Sequence, residues 1–220
     1  MNKNWNFFVI SNPKSQRYNN INHKDSIIFN GLWFDDDISE YYKDYNIPYN
    51  IKEHRKNATI ALFQNHVSLL RKIIWEDLHN TIILEDDTIY NKKQIINTLS
   101  KIEDLPEDIL YLGGLFWGRL IKDKYVKINP EDRTKGIHKV KDYFRILGTQ
   151  GYYIKNPEVA QKILNNIKRS NEKYYSHCID ACYSKMNIDK YYIQPSLVLH
   201  NCEYNSIIGN DGYLSNCNDL

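Results

Sequence analysis

Apolar residues along the chain fall into short runs and helical stripes that alternate. Phe7 to Ile10 is an unbroken apolar run closed by Ser11-Asn12-Pro13, which predicts a strand followed by a loop. Ser26 to Phe29 predicts a second strand, and Ile38 to Tyr45 a short helix stopped before Pro48. Ile60, Phe63, Val67, Leu70 and Ile74 recur at steps of three and four, which places them on one face of a helix over Thr59–Glu76. Thr81–Leu84 reads as a strand, Lys92–Ile102 as a helix, and Ile109–Leu112 as a strand ending at Gly113-Gly114. The stretch from Phe116 to Lys141, with Gly118, Pro130 and Gly136 among many charges, is aperiodic and reads as a long excursion over a cleft. Gly151–Ile154 is a strand, and Asn156-Pro157 opens the next helix as N-cap and first helical residue, with Val159, Ile163 and Ile167 as its buried stripe. Ser176–Met186 reads as a further helix, and Tyr191–Leu199 as an extended segment broken by Pro195. This alternation predicts an α/β fold, a mainly parallel central sheet flanked by helices. No internal repeat or Gly/Ser/Pro-rich linker divides it, so a single domain over residues 1–220 is expected.

Composition narrows the partners. A chain of 220 residues can enclose one sizeable core, and 42% hydrophobic with 25% charged residues is the balance of a soluble globular protein. A net charge of +2 gives no electrostatic reason to expect nucleic acid or a membrane surface. No apolar stretch has the length of a bilayer span, and Phe7–Ile10 is too short for a signal-peptide core, so a cytoplasmic protein without a transmembrane segment is expected. Tyrosine, at 18 against 7 phenylalanines, offers apolar bodies with hydroxyl rims, which suits a sugar-binding cleft, although codon bias towards Asn, Lys, Ile and Tyr is the better explanation of the excess. Cys178, Cys182, Cys202 and Cys217 form no CxxC pair and read as reduced, partly buried thiols rather than a zinc site.

The candidate chemistry lies where the strand Thr81–Leu84 meets Glu85-Asp86-Asp87. Three consecutive carboxylates repel one another, and a site that keeps them ionised usually needs a cation. Oxygen ligands suit a hard ion such as Mg²⁺ or Mn²⁺, and such an ion at a strand end commonly holds a phosphate or diphosphate.

Four further segments share an order with this one. They are Ala58 to His66, Leu147 to Ile154 (LGTQGYYI), Ile179-Asp180, and Gln194 to Val198, preceded by Val9-Ile10-Ser11 and Arg17. Together with Ile83 to Asp87, they resemble glycosyltransferase family 25, which includes bacterial lipooligosaccharide galactosyltransferases and collagen galactosyltransferases. The resemblance runs from the first strand to about Ile208. It implies a GT-A fold and inverting transfer of a hexose from a UDP-sugar, with Mn²⁺ or Mg²⁺ on the diphosphate, to a hydroxyl of a glycan, lipid-linked sugar or protein acceptor. Glu85-Asp86-Asp87 then stands at the DxD-type motif: Asp87 for direct metal contact, with Glu85 or Asp86 assisting through water or the ribose. Asp180 matches the family's acidic residue and is the candidate base for the acceptor hydroxyl, the other reading being a helix N-terminal carboxylate.

Several roles stay open at this stage. His200 follows Leu197-Val198-Leu199 as a metal ligand or an ordinary histidine, and His66 suits a structural or substrate-positioning role. Thr149, Gln150 and Gly151 look like the floor of a donor or acceptor site, and Gly113-Gly114 like a close-approach point near the donor. Arg17 would pair with a phosphate or the nucleobase edge, or is an exposed charge. Trp117 is a candidate sugar-stacking platform or a core residue. A response-regulator receiver or a haloacid-dehalogenase phosphatase would need its acidic pattern elsewhere or spaced differently. The main rival is a non-catalytic descendant of the transferase fold that binds a nucleotide or glycan.

Overall fold

In β1 (Asn6–Ser11), Phe8 and Ile10 face one apolar cluster and Phe7 and Val9 the other. In β3 (Thr81–Glu85), Ile83 likewise faces the first cluster, and Ile82 and Leu84 the second. Strands that are apolar on both faces require a cover on each side. A layered α/β arrangement provides it. The structure is a computed structural model that describes residues 4–21, 26–44, 52–117, 120–121, 124–125, 134–141, 145–170 and 179–201.

With β2 (Ile27–Asn30), β5 (Ile109–Trp117), β8 (Gly136–Lys139), β9 (Arg145–Ile154) and β10 (Lys190–Gln194), these strands form a seven-stranded sheet in the order β2-β1-β3-β9-β5-β10-β8. β1, β2 and β3 are mutually parallel, as are β5 and β10; β9 runs against both of its neighbours, and β8 against β10. The sheet is mainly parallel as expected, five of its seven strands running one way, with β9 reversed at its centre and β8 reversed at its edge. Two small antiparallel pairs stand outside it, β4 (Thr88–Tyr90) with β11 (Val198–His200), and β6 (Leu120–Ile121) with β7 (Lys124–Tyr125). Helices α1 (Glu53–Trp75), α3 (Pro157–Ser170) and α4 (Ile179–Lys185) supply the first cluster, through residues such as Leu70, Ile163 and Tyr183. Helix α2 (Lys92–Leu99) and Val198 supply the second. No helix among the described residues is long and apolar enough to cross a membrane.

The differences from the sequence reading have local causes. Helix α1 starts at Glu53 rather than Thr59, because its first turns are charged and carry no apolar stripe. The Thr59 hydroxyl donates to the Arg55 carbonyl (2.8 Å), an interior helical contact rather than a cap. The predicted helix near Ile38 is a 3-10 turn, Ser39–Asp44. Helix α2 ends at Leu99, and its N-cap Asn91 accepts from the Gln94 N–H at 3.0 Å. Pro195 separates β10 from β11, which belong to different sheets. Cys182 is buried and reduced, whereas Cys178, Cys202, Cys217, the Ser176–Cys178 start of the predicted helix and, within the Phe116–Lys141 excursion, residues 118–119, 122–123 and 126–133 lie outside the described residues.

Strand β5 does not stop at Gly113-Gly114 but runs on to Trp117. The reason for a glycine at 113 is the segment that crosses it: a Cβ there would stand 1.9 Å from the Val198 carbonyl oxygen. At Gly151 a Cβ would meet the Val198 methyls at 2.9 Å. The Leu197 N–H donates to the Leu112 carbonyl at 2.7 Å and fixes this crossing. Gly113→Ala is therefore expected to cost on the order of 1–3 kcal/mol in urea unfolding, because backbone must move. Gly151→Ala should cost less, because only a side chain must yield; equal effects would contradict this packing.

Candidate functional site

Strands β1 and β3 are parallel with Ile10 opposite Glu85, so their carboxyl ends share one edge. That edge brings Ser11, the turn after it and the acidic triplet together. Asp86 Oδ2 accepts the Ser11 hydroxyl at 2.8 Å and the Ser15 hydroxyl at 2.9 Å. Arg17 Nη1 donates to Asp86 Oδ1 and to Asp87 Oδ2, both at 3.2 Å. His200 Nε2 lies 3.4 Å from Asp87 Oδ2. β11 carries it there by pairing His200 with Thr88, and the Asn201 N–H donates to the Asp87 carbonyl at 2.7 Å. Burial raises the Asp87 pKa, but the hydrogen bond and charge of His200, with the charge of Arg17, outweigh it and hold the carboxyl below its usual range. The same hydrogen bond raises His200 against the opposing effect of burial.

Glu85 turns the other way, into the first cluster. Its Oε1 lies 3.3 Å from His66 Nε2 and takes a hydrogen bond from the Thr149 hydroxyl. Thr149 Oγ1 also lies 2.8 Å from Asp180 Oδ1. A hydroxyl has one proton and can donate to only one of the two acids, so the bridge is complete when the other acid is protonated and donates back. Burial, then repulsion from Asp87, pushes Glu85 to about 8. Burial, then repulsion from Glu85, pushes Asp180 to about 6. His66 is fully buried and driven down to about 4 by that burial, so it is neutral. Its Nδ1 lies 2.7 Å from the Tyr152 hydroxyl, which lies 3.3 Å from that of Tyr183.

The triplet is thus divided: Asp86 and Asp87 face Arg17 and His200, while Glu85 joins Asp180 through Thr149. Gln150 is buried, with Oε1 lacking a hydrogen-bond partner among the described residues, and packs against Gly148. Gly113 and Gly151 are in contact with Val198, Gly114 lies within β5, and Trp117 ends that strand. Nothing in the sequence marks Ser15 or Tyr183 as site residues, and Ser11 carries only the loop signal and the family's first-strand resemblance. Ser11 directly follows the apolar run and Ser15 lies two residues before Arg17, but only the tertiary fold aims them at Asp86.

Two cavities meet at the acidic turn. One, of about 130 Å³, is lined by Asn12, Arg17, Trp33, Phe34, Asn65 and Asp87, among others. The other, of about 660 Å³, opens on the far side towards Tyr90, Lys92, Lys93 and Asn97. Among the described residues no three His, Cys, Asp or Glu side chains form a ready cage for a metal ion. Asp87 Oδ1, however, is buried and has no hydrogen-bond partner among the described residues, so a lone-pair donor stands unsatisfied at the junction. A carboxylate of this kind beside an imidazole fits an ion that takes its remaining ligands from a phosphate and water.

The chain matches the model of glycosyltransferase family 25 (LPS biosynthesis protein) over residues 4–183. It belongs to that family and is a glycosyltransferase, with a sugar donor and an acceptor. A comparison with curated proteins gives no match.

The raised acid sets a pH signature. With a folded pKa of about 8, well above the usual carboxylate range, Glu85 keeps a proton in the native state that the unfolded chain has already released. Stability therefore falls as pH rises between the two values, with a limiting slope of about 1.4 kcal/mol per pH unit. Urea unfolding without divalent metal should show Glu85→Gln gaining on the wild type from pH 5 to pH 8, whereas parallel profiles would contradict the assignment. In an NMR titration His200 should titrate above 6.5, and Asp87→Asn should bring it down; an unchanged value would remove the Asp87–His200 contact.

Proposed function

We propose that this glycosyltransferase moves a hexose, galactose or glucose, from a UDP-sugar to a hydroxyl of a glycan, lipid-linked sugar or protein, with inversion at the transferred carbon and a GT-A-type architecture. The observation that carries the reading is the junction itself: Arg17, Asp86 and Asp87 at the carboxyl ends of parallel strands, with Asp87 Oδ1 buried, and without a hydrogen-bond partner among the described residues, beside a cavity. The carboxyl edge of such strands is where α/β sheets present ligands. Asp87 is the first candidate to hold Mn²⁺ or Mg²⁺, with His200 and Glu85 as the further candidates. When bound, the ion supplies positive charge to the diphosphate leaving group.

Arg17 adds a fixed cation at the same edge. Its guanidinium bridges two carboxylates and would stabilise the charge that develops on a diphosphate held there. Asp180 is the proposed base. Its pKa of about 6 lets it stay ionised at neutral pH while remaining basic enough to take the acceptor's proton. Thr149 holds one Asp180 oxygen in place. Gln150, Gly151, Gly113 and Gly114 remain candidates for the floor beneath the sugar, on β9 and β5.

The test is a panel of UDP-sugars with Mn²⁺, followed by UDP release with and without acceptor. Asp87→Asn should lose donor turnover by two orders of magnitude or more while keeping the fold. Asp180→Asn should bind donor as the wild type does and transfer about 10²–10⁴-fold more slowly. Full activity in the first variant, or lost donor affinity in the second, would remove those assignments.

A further inference from the structure

Between β2 and the turn at Ser39–Asp44 the chain passes through Gly31-Leu32-Trp33-Phe34 with no regular structure. Segments of this kind usually leave their main-chain groups to water and move. Here every main-chain N–H and C=O from Gly31 to Trp33 has a protein partner. The Gly31 N–H donates to the Ser11 carbonyl at 3.0 Å, and the Gly31 carbonyl accepts from Asn12 Nδ2 at 2.8 Å. The Trp33 N–H donates to Asp36 Oδ2 at 2.7 Å, and its carbonyl accepts the Asp36 N–H at 3.1 Å.

Leu32, between them, is held by one side chain. Asn65 Oδ1 accepts the Leu32 N–H at 2.7 Å, and Asn65 Nδ2 donates to the Leu32 carbonyl at 3.1 Å. An amide offers an acceptor and a donor at this reach. An aspartate would set a lone pair against the carbonyl, and an alanine would leave two groups without a partner. Asn65 is only 6% exposed, so water does not replace it cheaply. Gly31 makes room for it, because a Cβ at 31 would lie 2.4 Å from Asn65 Cγ.

The segment so fixed is a wall. Trp33 and Phe34, with ring centroids 5.0 Å apart, line the cavity of about 130 Å³ that ends at Arg17 and Asp87. Such a space has aromatic and aliphatic sides, a few amides and a charged end. It suits a flat, single-ring base joined to an anionic diphosphate. We propose that Asn65 is a positioning residue for donor recognition. By clamping Leu32 it holds the Trp33–Phe34 wall in the shape that receives the base, and it sets donor affinity without entering the chemistry. Order provided in advance is order the ligand need not impose. The proposal rests on the donor reading above.

Asn65→Ala releases the clamp, and Gly31→Ala pushes on the same amide from the other side while leaving Asn65 in place. The experiment is calorimetric titration of UDP with Mn²⁺, together with KM and kcat for the active UDP-sugar. Both variants should weaken UDP binding and raise donor KM about tenfold, with kcat at saturating donor within about twofold of the wild type. If Asn65→Ala does not fold, Gly31→Ala decides on the same KM readout. A kcat loss at unchanged KM, as a merely structural role would give, overturns the proposal. So does UDP binding within about twofold of the wild type in the folded variants. Failure of the wild type itself to bind UDP overturns the donor reading and this proposal with it, so the two failures are distinguishable.

Discussion

Three neighbouring carboxylates cannot stand ionised at the edge of a core without compensation, and the site is organised around that repulsion. The chain meets it by separation. Asp86 and Asp87 share the Arg17 guanidinium, with two serine hydroxyls and His200 completing the field. Glu85 is sent to the opposite side, where burial favours its protonated form and Thr149 links it to Asp180. The outcome is one acidic centre facing cations and a second that stores a proton. In the proposed reaction the first would serve the departing diphosphate and the second the incoming hydroxyl.

The fold supplies the separation cheaply. Parallel pairing of β1 with β3 puts Ser11 and Arg17 beside the triplet, and the β4–β11 pair returns His200 to it from over a hundred residues downstream. That return crosses β5 and β9 so closely that Gly113 and Gly151 leave space for Val198. Helix α1 serves both compartments with adjacent residues. Asn65 steadies the wall of the small cavity, and His66 reaches Glu85 and, through Tyr152, Tyr183.

How much of this was legible in the sequence depends on whether the signal was local. The runs Phe7–Ile10 and Thr81–Leu84, the stripe from Ile60 to Ile74 and the Asn156-Pro157 helix start are all present, because periodicity and capping are written in consecutive residues. The start of α1 was hidden, since its first turns are polar. The antiparallel course of β9 was hidden too, because strand direction leaves no mark on an apolar run. Within the site, the acidic triplet stood out, and so did Thr149 and Asp180. Their bridge did not, because it joins residues 31 apart in the chain. The partners of Asp86 at Ser11 and Ser15, and the Asn65 clamp on Leu32, depend on tertiary register alone. Gly113 was legible as a place of close approach, although the neighbour is the chain's own Val198.

The most direct test of the account is anomalous diffraction at the manganese edge from crystals grown with UDP and Mn²⁺. The account predicts a single strong peak within about 2–2.3 Å of Asp87 Oδ1, with diphosphate oxygens completing its shell and Arg17 still at that edge. A peak on Glu85 and Asp180 without Asp87, or diphosphate density with no ion at the acidic turn, would contradict it.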